Sequence, residues 1–206
     1  PLSIEELSDV VPFRPGRALQ LEEVRSTIER LYATGRYENV EIHGEEGGGG
    51  VALRIVTEPS WFVGGVDIIG AKAPPSPTQI RTATKLKLGT AYYPELRDQA
   101  VAGVQEVLRE NGLYLHKVEV RERRDAETYQ VHFEFEIIPG QRARLALPQI
   151  TGEPAVEPER LAEATGWDGW FGLNQATGDR LQKGVERLRS WYRKRDYLLA
   201  EVGLQG

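Results

Sequence analysis

No cysteine occurs among the 206 residues, which removes disulfides, thiol catalysis and thiolate metal sites and leaves the redox compartment open. Methionine is absent too, even at position 1, so the expectation is a processed protein or an excised fragment. No apolar run reaches the roughly 18 residues of a membrane-spanning helix, and Pro1-Leu2-Ser3-Ile4-Glu5-Glu6 has no charged-then-apolar leader pattern. A basic surplus is also missing. Lys and Arg total 26 against 31 Asp and Glu, a formal charge of -5, so no overall field draws nucleic acid. The short run Arg121, Arg123 and Arg124 reads as a solvated strand end.

Histidine is scarce. His43, His116 and His132 sit one per strand or turn with no shared carboxylates, which points to surface positions rather than a metal or catalytic site. Ser60, Ser76 and Ser190 lack a nucleophile motif. The glycine run Gly47–Gly50 is followed by neither a lysine–serine pair nor a helix start, so it reads as a hairpin loop and not a phosphate cradle. The expectation is therefore no enzyme, no cofactor and no metal.

What is present is a globular composition, 40% hydrophobic and 28% charged, long enough for two or three compact modules. An amphipathic helix, its stop and a following strand occur three times, at Leu21–Ile42, Leu96–Val120 and Leu181–Leu204. With Gly35, Gly112 and Asp196 taken as one position, Leu31, Leu108 and Tyr192 each fall four residues before it. Val24, Val101 and Val185 each fall eleven before it. Those offsets share one helical face. Val40, Val118 and Val202 open the next strand five, six and six residues later. A fixed offset repeated in this way marks a repeated structural unit.

In chain order, Ser3 and Glu6 form a capping box for a helix carrying Ile4, Leu7 and Val10. A long helix follows over about Glu22 to Ala33, then a strand through Val40 and Ile42, and a return strand through Val51, Leu53 and Ile55 up to Pro59. The second unit opens with a strand at Trp61–Ile69. A short helix carries Ile80, Ala83 and Leu86, with Ser76 as cap and Pro77 in its first turn. Leu96, Ala100, Val104 and Leu108 mark its long helix. Lys117–Glu122 forms a strand, Arg124–Glu127 a polar turn, and Tyr129, Val131, Phe133, Phe135 and Ile137 alternate with polar residues in the clearest strand of the chain. The third unit repeats the plan: an opening strand through Leu145, Leu147 and Ile150, a short helix at Leu161 and Ala164, a long helix through Leu181, Val185, Leu188 and Tyr192, and a strand begun by Val202 and Leu204.

Each unit thus reads strand, short helix, long helix, strand, strand, an α+β plan in which a hairpin and one earlier strand make a three-stranded sheet with both helices on one side. The module boundaries fall at 1–59, which lacks its first strand, 60–139, which is complete, and 140–206, which lacks its final strand.

The run Leu31-Tyr32-Ala33-Thr34-Gly35-Arg36-Tyr37-Glu38-Asn39-Val40 and its counterpart Leu108-Arg109-Glu110-Asn111-Gly112-Leu113-Tyr114 resemble the POTRA (polypeptide-transport-associated) domain, in which a helix ends in Gly-x-aromatic and a valine strand follows. The third copy departs from this pattern at Asp196 and in the aromatic loop Gly166–Gly172. The resemblance implies tandem POTRA-like β-α-α-β-β modules, each a three-stranded mixed sheet covered on one face by two helices. It also implies the periplasm of a Gram-negative bacterium, a parent anchored by a C-terminal β-barrel absent from this sequence, and a role in assembling or translocating outer-membrane proteins. Unfolded outer-membrane proteins, extended peptides and accessory lipoproteins are the partners implied. A structural spacer or division-complex scaffold is the alternative the same fold implies.

A sheet covered on one face leaves margins to which an extended peptide can add by β-augmentation. In the POTRA-like strand order the middle strand by sequence lies at an edge. That selects Val40, Glu41, Ile42 and His43 in the first copy and Val118, Glu119, Val120 and Arg121 in the second, with charged residues keeping an empty edge soluble. Trp61, Phe62, Trp191 and Tyr192 read as core or module contacts. Trp167, Trp170 and Phe171, in a glycine-interrupted loop, are candidates for a domain or partner interface.

Overall fold

The computed structural model describes residues 4–14, 16–47, 49–152, 154, 156–167 and 174–205. The elements follow as α1 (Ile4–Val10), α2 (Leu21–Ala33), β1 (Tyr37–Gly47), β2 (Gly50–Pro59), β3 (Phe62–Ile69), α3 (Pro77–Ala83), α4 (Pro94–Glu110), β4 (Lys117–Asp125), β5 (Gln130–Ile138), α5 (Pro158–Thr165) and α6 (Gly178–Arg193). The fold is α+β. Two compact units can be distinguished: Pro1–Gly64 with Leu88–Tyr93 and Arg123–His132, and Gly65–Lys87 with Pro94–Glu122 and Phe133–Gly206.

In the first unit β1 and β2 pair antiparallel, Val40 opposite Thr57 and Ile42 opposite Ile55. Leu31 of α2 is buried with Tyr37 and Val40, and Leu7, Val10, Ile28 and Ile55 pack around them. The α2 stripe therefore does what its spacing implies and buries its apolar side against the hairpin. The capping residue expected at Ser3 lies outside the described residues.

The second sheet has the order β3-β5-β4. Phe62 N–H donates to the Tyr129 carbonyl, and Gly70 lies against Ile137, so β3 and β5 advance together and are parallel. Arg121 reaches Glu134 across the β4–β5 hairpin, the antiparallel partner. The sheet is mixed. Val131, Phe133, Phe135 and Ile137 are all buried on one face of β5, while Ala100, Val104 and Leu108 bury the facing stripe of α4. The capping box of α3 forms as read: Ser76 N–H donates to Gln79 Oε1 at 2.8 Å and Gln79 N–H to Ser76 Oγ at 3.2 Å. Leu86 falls outside that helix, which ends at Ala83.

Three local readings change. β4 runs on to Asp125, so the turn occupies 126–129 instead of Arg124–Glu127. Two side chains hold this register. Arg124 is placed over the Trp61 ring at 5.3 Å, and Asp125 Oδ1 accepts from the Glu127 and Thr128 N–H groups at 3.0 and 3.4 Å. The opening strand expected at Leu145, Leu147 and Ile150 is extended chain with a single bridge, Arg144 to Gln175. The strand expected at Val202 and Leu204 does not form either. Both segments carry strand-like alternation, but the first meets a neighbour only at residues 143–145, against 174–176, and no strand pairs with the second among the described residues. The helical part of this region is as read: Leu161, Leu188 and Tyr192 form a buried cluster with Ile150, Val156 and Val202 partly buried against it.

Candidate protein-binding edge

In the β3-β5-β4 order, β5 has a strand on each side, and β3 and β4 are the two margins. The start of the β3 margin is closed by its own chain. Val63 N–H donates to the Thr90 carbonyl at 2.9 Å, Gly89 N–H to the Val63 carbonyl at 2.8 Å and Tyr92 N–H to the Trp61 carbonyl at 2.7 Å. Residues 89–92 thereby lie along the start of β3, with a bridge between Phe62 and Ala91. Further along, Arg81 Nε donates to the Val66 carbonyl at 2.9 Å.

β4 differs. Among the described residues no strand flanks it on the side away from β5. Val118 and Val120 are half-buried toward the helices, whereas Lys117, Glu119 and Arg121 are exposed on the opposite face. Arg121 is shared by two carboxylates of the central strand, Glu134 at 3.2 Å and Glu136 at 2.8 Å, which ties β4 to β5 on the face away from the helices. On the helix side Glu122 pairs with Arg97 of α4 at 3.1 Å. These contacts fix β4 from within the sheet. The Asp125 carboxyl is held below its ordinary value of 3.8, first by the Glu127 N–H and then by the Thr128 side chain, so the hairpin end is a charged cap at neutral pH.

The first candidate edge is less open. Val40 N–H donates to the Tyr32 hydroxyl at 3.2 Å, so α2 already occupies the main chain at the start of that edge. Glu41 is engaged by Asn39 at 3.1 Å and by His43 at 2.9 Å. Ile42 is half-buried beside Ile55. No local pattern signals the Tyr32 contact, because helix residue and strand residue are eight positions apart and join only once the turn at Gly35 is made.

Trp167 is buried, and its Nε1 donates to the Arg180 carbonyl at 3.2 Å. A Cβ on Gly184 would fall inside its indole ring, so this ring is packed on α6. Trp170 and Phe171 lie outside the described residues. The three histidines are separate: His43 pairs with Glu41, His116 Nδ1 meets the Leu113 carbonyl at 2.5 Å, and His132 stands beside Gly64.

No family model matches the chain, and no curated protein matches it. Solved structures similar to it include POTRA arrays. POTRA3-5 of BamA from Haemophilus influenzae is 11% identical with a TM-score of 0.46, over 92% of this chain and 80% of that one. The N-terminal domain of Omp85 from Thermosynechococcus elongatus is 15% identical with a TM-score of 0.38, over 92% and 81%. POTRA1-3 of the periplasmic domain of Omp85 from Anabaena is 15% identical with a TM-score of 0.34, over 92% and 79%. In this chain, residues 62–138 run strand, helix, helix, strand, strand, with the last strand central and the middle one at the margin. That element order and strand arrangement are what the POTRA resemblance implies. Within the described residues, no helix is long and apolar enough to cross a membrane.

Proposed function

We propose that the chain is a periplasmic protein-binding arm of an outer-membrane protein assembly or translocation factor. It is built of POTRA-like modules at 1–59, 60–139 and 140–206, the first without its opening strand and the third without its final one. Extended segments of unfolded outer-membrane proteins, or accessory lipoproteins, add to β4 by β-augmentation. Main-chain hydrogen bonds supply affinity in that mode, so cargo of many sequences is accepted. The observation that carries this reading is the asymmetry of the sheet: β3 is covered at its start by residues 89–92 and at Val66 by Arg81, and among the described residues no strand pairs with β4 on the side away from β5. Lys117, Glu119 and Arg121 supply the edge charge that discourages uncontrolled pairing while the site is empty.

The test is photo-crosslinking of an extended outer-membrane-strand peptide. A photoreactive side chain at Glu119 gives a crosslinked product, and one at Asp67, on β3, does not. Equal yields at the two positions would remove the β4 assignment.

A spacer or scaffold is the second reading, and the link between residues 60–139 and 140–206 favours it. Arg142 donates to the carbonyls of Asn111, at 2.7 Å, and Pro74. Ala143 N–H donates to the Gly112 carbonyl and Ala176 N–H to the Ala143 carbonyl, each at 2.9 Å, and the Tyr114 hydroxyl reaches the Ala176 carbonyl at 3.1 Å. A link bonded on both sides suits a strut. The strut reading predicts no crosslink at Glu119.

A further inference from the structure

The α6 helix ends in a basic run. Residues 189–195 hold Arg189, Arg193, Lys194 and Arg195 and no carboxylate, in a chain whose formal charge is -5. The internal repeat shows that the fold does not require this. With Asp196 and Gly112 taken as one position, Lys194 stands where α4 has Glu110, and Arg195 where the turn after α4 has Asn111. In the first copy the same places are Ala33 and Thr34. A cation in the last turn answers the helix dipole, and α2 and α4 have one each, Arg30 and Arg109. Lys194 and Arg195 exceed that need. Arg189 donates to the Val202 carbonyl at 2.7 Å, and the Arg195 guanidinium lies 3.8 Å from the Trp191 ring centre. Arg193 and Lys194 are exposed, and among the described residues no carboxylate pairs with them.

A tight turn sets apolar side chains beside these cations. Asp196 takes a φ of 61°, Tyr197 N–H donates to the Tyr192 carbonyl at 3.2 Å, and Leu198 N–H donates to the Asp196 carbonyl at 3.0 Å. Leu198 and Leu199 follow directly and are 76% and 96% exposed. Tyr192 meets Trp191 and Tyr197 edge to face, at 5.5 and 5.8 Å between ring centres. The exposure belongs to the turn itself. In residues 62–138, with all three strands in place, the equivalent turn makes the same bond, Leu113 N–H to the Leu108 carbonyl at 2.9 Å. There Tyr114 and Leu115 are 43% and 77% exposed. What differs is the charge beside the turn. Cations next to solvent-facing leucines and amphipathic Trp and Tyr rings match the boundary of a bilayer: leucines enter the acyl region, rings sit at headgroup level, and Lys or Arg meets phosphate. An acidic protein answers the charge but gives Leu199 no apolar phase to enter.

We propose that the end of α6 and the turn after it dock on an anionic phospholipid surface, with Arg193 and Lys194 at the headgroup phosphates and Leu198 and Leu199 inserted beneath them. The contact uses no sheet margin. It is independent of β4, and either can hold without the other.

The chain has no cysteine, so Leu199→Cys in the 206-residue protein carries an environment-sensitive fluorophore at a single place. Vesicles of phosphatidylcholine and phosphatidylglycerol in equal parts are expected to shift its emission to the blue, and vesicles of phosphatidylcholine alone to leave it in place. The same fluorophore on Leu115→Cys, an exposed leucine at the equivalent turn without the added cations, stays unshifted with both. In vesicle flotation of the unlabelled chain, Arg193→Gln with Lys194→Gln weakens binding to the anionic vesicles by more than about tenfold, two surface cations being removed. Leu199→Asp weakens it as much, and Leu115→Asp leaves it unchanged. Each altered side chain is exposed, so the helical circular dichroism of the parent is retained. Equal blue shifts at positions 199 and 115, or vesicle binding untouched by the α6 variants, would overturn the proposal. Binding lost in the glutamine variant but kept in Leu199→Asp would overturn the lipid assignment in favour of a partner that reads charge alone, such as an acidic protein.

Discussion

At Gly35, Gly112 and Asp196 the chain takes a left-handed turn at three equivalent points, with φ of 66°, 79° and 61°. Two are glycine, which meets that conformation without steric cost, and the third is aspartate, one of the few other residues that adopts it readily. A departure in sequence is thus no departure in backbone. Gly112→Ala forces a Cβ into the left-handed region and to 3.1 Å from the Ala176 carbonyl, whereas at Gly35 the space is open. Strain of this kind costs about 1–3 kcal/mol. Urea unfolding should show Gly112→Ala at the upper part of that range and Gly35→Ala at the lower, and equal losses would contradict the close approach of Ala176.

The Asp125 carboxylate offers a check by pH. Its folded value is depressed, so its stabilising contribution is present above the unfolded value and is lost as pH falls through the folded one. Asp125→Ala should therefore lower the melting temperature at neutral pH, and the gap between variant and parent should close as the solution is acidified below the ordinary carboxylate value of 3.8. A gap that persists unchanged in strong acid would mean the carboxylate charge does not cap the turn.

Among the elements, those with the most local instructions were the most legible. The four-residue recurrence of Leu96, Ala100, Val104 and Leu108 marks α4, and the alternation around Phe133 and Phe135 marks β5, because burial on one face alone imposes the period. The capping box at Ser76 is equally local, and Ser76→Ala should cost about 1 kcal/mol by thermal or chemical unfolding. A loss below a few tenths would leave the cap without weight. What escaped the sequence is contact between distant segments. Gly89-Thr90-Ala91-Tyr92 has no periodicity, yet it covers the start of β3. Leu147, Ile150, Val202 and Leu204 have strand periodicity, yet among the described residues no ladder forms on them. Tyr32 blocks the start of the β1 edge through its hydroxyl. Tyr32→Phe should accelerate exchange of the Val40 amide and cost about 0.5–1.5 kcal/mol, the net worth of one hydrogen bond. Unchanged exchange at Val40 would return that edge to the same standing as β4.

For the molecule as a whole, the repeat makes function a question of which margins the chain has closed for itself. The two candidate edges, at Val40–His43 and Val118–Arg121, are unequal: β1 is partly occupied, β3 is covered at its start, and among the described residues β5 is the strand that pairs with β4. The most direct measurement is an NMR titration of the isotope-labelled 206-residue chain with an extended peptide from an outer-membrane β-strand. Saturable shifts of the Val118, Glu119, Val120 and Arg121 amides, larger than those of Val40–His43 and of residues 61–66, are the predicted result. Amides at Val118–Arg121 that stay in place at saturating peptide would contradict the account.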